Sequence, residues 1–258
     1  MIDQSIIQGL ADDIRRLSSI YGVEYSAVLD AAGNTILLKQ GTARNVDYSA
    51  EDEKIILDRG YAALHTHPCT TEVFSNLDIV HAFSYYATKN LKSVIVVNDD
   101  GYYQLNKTSR ISDEKAEKMI REYLTVYATM HFFHENVYST DPEFFSDLLN
   151  NILDDGDFEV SDSTVDYANR YGGEILSITA LNHIVARSNG RVRLELHVSD
   201  AVKSRYAEVS GIGEVYYRYA RKYIPSIRIT KTPVGSHATQ FYSQPVYNKS
   251  IVNIIGIQ

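Results

Sequence analysis

The chain has a single cysteine, Cys69, among its 258 residues. One thiol excludes an intramolecular disulfide and any zinc site built from several cysteines. Tryptophan is absent, and the aromatic surface rests on 20 tyrosines and 8 phenylalanines. Tyrosine at that level predicts half-buried rings with a solvated hydroxyl. No apolar run approaches the roughly 18 residues that a membrane helix needs. The first residues, Met1-Ile2-Asp3-Gln4-Ser5, carry neither the basic start nor the apolar stretch of a secretory leader. Both absences predict a cytoplasmic protein with no membrane partner. Positive charge is in deficit, with 25 Lys and Arg against 33 Asp and Glu for a net charge of −8, which argues against non-specific nucleic-acid binding. What remains is ordinary globular composition, 44% hydrophobic and 22% charged, on a length suited to one large domain or two small ones.

Hydrophobic spacing orders the first half of the chain. Ile6, Ile7, Leu10, Ile14, Leu17 and Tyr21 form a helical stripe over residues 4–21, with Gly22 as its stop. The period then shortens, and Val23 to Leu29 reads as a strand. Ala31-Ala32-Gly33-Asn34 turns the chain into a hairpin partner, Thr35 to Lys39. Ser49 caps a helix that ends at Gly60. Tyr61 to Leu64 is a short buried strand, Ser75 opens another helix, and Ser93 to Val97 is a buried strand. Asn98-Asp99-Asp100-Gly101 turns into its partner, Tyr102 to Leu105. The order α-β-β-α-β-α-β-β predicts an α+β domain with helices packed on a small mixed sheet.

A long helix capped at Ser112 follows over 112–136, then a helix opening at Asp141-Pro142. The joint at Tyr138–Asp141 predicts a division into domains 1–137 and 138–258. The second part polarises: ten acidic residues against Arg170 from Asp141 to Glu174, then ten basic against four acidic from Arg187 to Lys231. These are either complementary faces of one mostly helical domain or a basic surface for an acidic partner. Arg191 to Val198 alternates like a strand. Ser199 to Tyr223 reads as helix interrupted at Gly211 and Gly213, and the tail from Thr239 to Ile257 favours strand.

The chemistry concentrates in Ala63-Leu64-His65-Thr66-His67-Pro68 and Ser75-Asn76-Leu77-Asp78. Strand residues i and i+2 project to one side, so His65 and His67 can aim both imidazoles at one point. Neutral imidazole is a good zinc ligand, although a lone His-x-His is a weak signal. Ser75-x-x-Asp78 is a helix-start signature that needs no metal. It also sets a carboxylate in the first helical turn, able to face back to the histidines. Three protein ligands plus water is the usual arrangement of a catalytic zinc site. Such a site needs a base, and Glu24, in an early strand among apolar residues, is the best candidate.

Glu24, His65-Thr66-His67-Pro68, seven residues ending at Ser75, and Asp78 together resemble the motif of the JAMM (JAB/MPN) metalloproteases, of bacterial or phage type. Every fixed position is present at the family spacing, and the resemblance covers about residues 1–110, extending towards 137. It implies a JAB/MPN-like fold for 1–137 with an accessory region at 138–258. It implies Zn²⁺ held by His65, His67 and Asp78, Glu24 as general base on the water that completes the site, and Ser75 as hydrogen-bond donor to the developing oxyanion. The implied activity is hydrolysis of an amide bond after the tail of a ubiquitin-like or other protein. The competing functions are a catalytically silent scaffold of the same fold and a toxin- or immunity-associated interaction module. Cys69 reads as a small buried residue or a fourth ligand of an inactive form. His131 and His134 read as core or surface residues, and His81, His183, His197 and His237 as histidines without spaced partners.

Overall fold

The Asp3 side chain accepts the Ser5 N–H at 2.9 Å and so starts the first helix, α1 (Gln4–Tyr21). Gly22 stops it in the left-handed conformation, φ 64°, which a residue without Cβ takes at little cost. Ile7, Ala11, Ile14 and Ser18 fall on its buried face, the stripe that a 3.6-residue period requires.

The computed structural model describes residues 2–68, 73–86, 90–138 and 172–223. Among them, α1 is followed by β1 (Tyr25–Leu29), β2 (Thr35–Gln40), α2 (Ala50–Arg59), β3 (Ala62–Thr66), α3 (Asn76–Tyr86), β4 (Ser93–Asn98), β5 (Gly101–Lys107) and α4 (Asp113–Tyr138). Then come α5 (Gly172–Arg187), β6 (Val192–Val198) and α6 (Asp200–Tyr223). The fold is mixed α/β, a six-stranded mixed sheet flanked by helices. Cys69, His237, the expected helix opening at Asp141 and the strand-rich tail lie outside the described residues.

The sheet runs in the order β2-β1-β3-β4-β5-β6. Among the described residues only β3 and β4 pair in parallel, and α3 makes the crossover that parallel neighbours need. Ile7, Ala11 and Ile14 of α1 cluster with Tyr25, Ala27, Leu29, Ala62, Leu64, Ile95, Val97 and Tyr102 on one face. Alternation sends Ser26, Val28, Ala63 and His65 to the other, where α3 lies. All five residues of β1 are buried, which is why its amphipathic alternation is faint. Ser49 caps α2 in a reciprocal box with Asp52, a device worth about 1 kcal/mol.

The division of the chain differs from the one expected at residue 137. One compact unit comprises Met1–Glu117 with Ser188–Asp200; the other takes Lys118–Arg187 and the chain from Ala201. The change falls inside α4, whose helical period gives no sign of it. The segment expected in an accessory domain returns as β6, pairing antiparallel with β5 from Gly101↔Val198 to Lys107↔Val192. An alternating strand cannot satisfy its main-chain groups alone, and β5 offers an edge. In the second unit α6 runs unbroken through Gly211 and Gly213. A Cβ on Gly213 would collide with the Thr179 hydroxyl, so this glycine serves helix packing rather than interruption.

One buried cation gives the first unit a pH signature. Lys107 is 6% exposed, and its Nζ donates to the carbonyl of Tyr86, the last residue of α3, at 2.8 Å. Burial, with Lys92 nearby, pushes its pKa down to about 8. The unfolded chain therefore holds more protons than the native one between about pH 8 and the ordinary lysine range, and stability rises with pH there. Denaturant unfolding of wild type and Lys107→Met between about pH 8 and 9.5 should show a shallower rise in the variant. Equal slopes would remove Lys107 as the source.

Candidate metal centre

β3 carries His65 next to its last residue, and His67 follows immediately after the strand. Its parallel partner β4 stays with it, His67 N–H donating to the Val97 carbonyl at 2.8 Å. Its antiparallel partner β1 pairs from Leu29↔Ala62 to Ser26↔His65. Opposed residues of an antiparallel pair share a face. Glu24 immediately precedes β1 and His67 immediately follows β3, so both lie just past the Ser26↔His65 end of this ladder. Glu24 is 9% exposed. Its main chain is held by the continuation of β2, Glu24 N–H donating to Thr42 at 2.7 Å and Gly41 N–H to the Glu24 carbonyl at 2.8 Å.

Asp78 comes from the first turn of α3. Ser75 N–H donates to Asp78 Oδ2 at 2.7 Å, and Asp78 N–H donates to Ser75 Oγ at 3.2 Å. This reciprocal box is the helix start read from the sequence. The same carboxylate faces the histidines. Oδ1 lies 3.0 Å from His65 Nε2 and Oδ2 lies 3.3 Å from His67 Nε2. The two Nε2 atoms are 3.2 Å apart. Ligand atoms around a tetrahedral zinc with bonds near 2.05 Å stand roughly 3.3 Å apart, so the three groups are already spaced for such an ion. The described residues thus contain a His65–His67–Asp78 group that can hold a metal ion.

Burial pushes the Asp78 carboxyl towards the neutral form, but the His65 and His67 imidazoles beside it, by charge and by hydrogen bond, outweigh burial and hold it well below the usual range. Ser75 Oγ accepts the Asp78 N–H, and its own hydroxyl proton is not used in that bond. The Thr66 side chain is turned from the two imidazoles, as alternation requires, and is 1% exposed.

Two further residues border the centre. The Tyr48 hydroxyl hydrogen-bonds to Ser26 Oγ, beside His65 in the ladder. Burial pushes its pKa up to about 12, and the Asp78 and Glu24 charges push the same way. Its only sequence signal is its place immediately before the Ser49 cap. His81, read as a histidine without a spaced partner, follows Asp78 by three residues on α3. Burial lowers its pKa, with the Asp78 charge opposing and His65 assisting. The i, i+3 spacing was the available signal. The remaining described histidines have ordinary neighbours: His131 stacks on Tyr127, His183 meets Tyr217 edge-on, and His197 stacks on Tyr102 at 4.4 Å.

No protein-family model matches the chain, and comparison with curated proteins and with solved structures returns no significant match.

A metal ion bound to these ligands would stabilise the folded state by mass action, about 2.7 kcal/mol at a hundredfold excess over Kd. Thermal unfolding of metal-depleted protein should therefore shift upward on adding Zn²⁺, while His67→Ala and Asp78→Ala show little or no shift. Asp78→Ala should also unfold earlier than wild type without metal, because the α3 cap is lost. Equal zinc-induced shifts in all three proteins would place the metal elsewhere.

Proposed function

We propose that this chain is a zinc-dependent amide hydrolase of the JAMM (JAB/MPN) type, acting after the tail of a ubiquitin-like or other protein. The observation that carries the reading is the convergence of His65, His67 and Asp78 at metal-ligand spacing, with the buried Glu24 at the near end of the adjoining strand β1. Glu24, His65, His67, Ser75 and Asp78 each have a role in the proposed chemistry.

A zinc ion bound by these three residues supplies Lewis acidity and a nucleophile at neutral pH. Glu24 takes the proton of the attacking water and returns it to the leaving amine. Its setting favours this, since its main chain is fixed on the β2 side and its carboxylate is shielded from bulk solvent. Ser75 donates its hydroxyl proton to the oxygen that becomes negative, and the capping bond from Asp78 N–H keeps that hydroxyl in place. Asp78 and the histidines hold the ion while Glu24 remains outside the ligand set. This separation of roles distinguishes a hydrolytic centre from a closed structural one.

The test uses zinc-loaded protein and a peptide that ends in diglycine joined by an amide to aminocoumarin. Wild type should release the fluorophore. Glu24→Gln should keep one zinc per chain and lose on the order of 10²–10⁴-fold in rate. Cleavage by Glu24→Gln at the wild-type rate would remove Glu24 as the base. Zinc-loaded wild type that cleaves no diglycine-tailed amide would leave the scaffold reading of the same fold in its place.

A further inference from the structure

β1 and β3 part company at the metal centre, and one side chain marks the point. The regular register ends at Ser26↔His65, although both strands run one residue further, to Tyr25 and Thr66. In an unbroken ladder Tyr25 N–H would donate to a main-chain carbonyl of β3. Instead it donates to the Thr66 hydroxyl at 2.8 Å. Thr66 is the residue between the two histidines. It is 1% exposed, so the bond satisfies a buried N–H and is no incidental surface contact.

The neighbouring bonds show which way the strands diverge. β3 stays on β4 through His67 N–H to Val97, and β1 stays on β2's continuation through Glu24 and Gly41. The regular pairing between β1 and β3 therefore ends just before Glu24 and His67. A closed ladder brings opposed side chains to about 4.5–5.5 Å between Cβ atoms. That spacing leaves a carboxylate and an imidazole in direct contact and no room for a metal ion with its water between them. The site needs the strands joined firmly enough to fix Glu24, yet held apart. A hydroxyl carried on Cβ does both, because it reaches across from β3 to satisfy the amide that the carbonyl no longer meets.

We infer that Thr66 is a positioning residue: its hydroxyl replaces a main-chain acceptor between β1 and β3 and thereby sets the distance from Glu24 to the metal ligands. The inference rests on the reading of Glu24 as the base at a metal centre. Thr66 touches neither metal nor substrate and acts through Tyr25 on its neighbour Glu24. Valine has the same shape and no acceptor. In a Thr66→Val protein the Tyr25 amide loses its acceptor, which loosens the end of β1 and moves Glu24. Serine keeps the acceptor.

Three measurements on full-length Thr66→Val and Thr66→Ser test this. In amide hydrogen exchange, Tyr25 should lose protection in the valine protein and keep it in the serine protein. With the diglycine-aminocoumarin peptide, the zinc-loaded valine protein should lose on the order of 10²-fold in kcat with KM little changed, and serine should restore it. In the Co²⁺-loaded protein, Glu24→Gln should alter the visible absorption. Thr66→Val should alter it in the same direction, and the double variant should add nothing further. If Glu24→Gln leaves the spectrum unchanged, the reading of Glu24 fails. If Glu24→Gln changes it and Thr66→Val does not, the inference fails while that reading stands. A serine protein as impaired as the valine protein, or a valine protein that fails to fold while serine also loses kcat, overturns it equally.

Discussion

The Asp78 carboxylate is the constraint on which the site depends, because it is committed in two directions at once. One oxygen caps α3 through Ser75 N–H, and the two oxygens face the imidazole nitrogens of His65 and His67. Taking a carboxylate out of water costs several kcal/mol even after relaxation. A cap and the helix dipole return about 1–2 kcal/mol between them, which does not cover that cost. The rest is offset by the His65 and His67 imidazoles beside it, which favour the charged carboxylate. The cap thus orients a group that the histidines complete. The crossover from β3 to β4 is what brings the start of α3 back over the end of the strand that carries them.

This dependence explains why the site was legible before the fold was. The His-x-His spacing becomes shared direction as soon as those residues are extended, and Ser-x-x-Asp becomes a cap as soon as a helix follows. Both translations are local. Glu24 was harder. Its alternation with β1 is masked because that strand is buried on both faces, and only the pairing of β1 with β3 brings it towards the end of the strand that carries His65. Tyr48, His81 and the bond from Tyr25 to Thr66 were not legible as site features. Each depends on which strands and helices become neighbours.

The same distinction separates what was read correctly in the fold from what was not. Caps at Ser49 and Ser112, the stop at Gly22 and the turn at Asn98–Gly101 are chemistry of adjacent residues, and all lie where they were expected. The division of the chain is a long-range property. β6 joins β5 across a long intervening stretch of chain, and nothing in the alternation of Arg191 to Val198 names its partner. Gly211 and Gly213 looked like helix breaks because propensity disfavours glycine in a helix interior. Close packing against Thr179 outweighs that preference at Gly213.

The central claim is that His65, His67 and Asp78 form one open metal centre served from the β1 side by Glu24. X-ray absorption of the zinc-loaded protein tests it most directly. The account predicts two imidazole nitrogens and oxygen neighbours at about 2.0–2.1 Å, with no sulfur shell. A sulfur contribution at about 2.3 Å would bring in Cys69 and close the site, and failure to take up stoichiometric zinc would contradict the metal centre altogether.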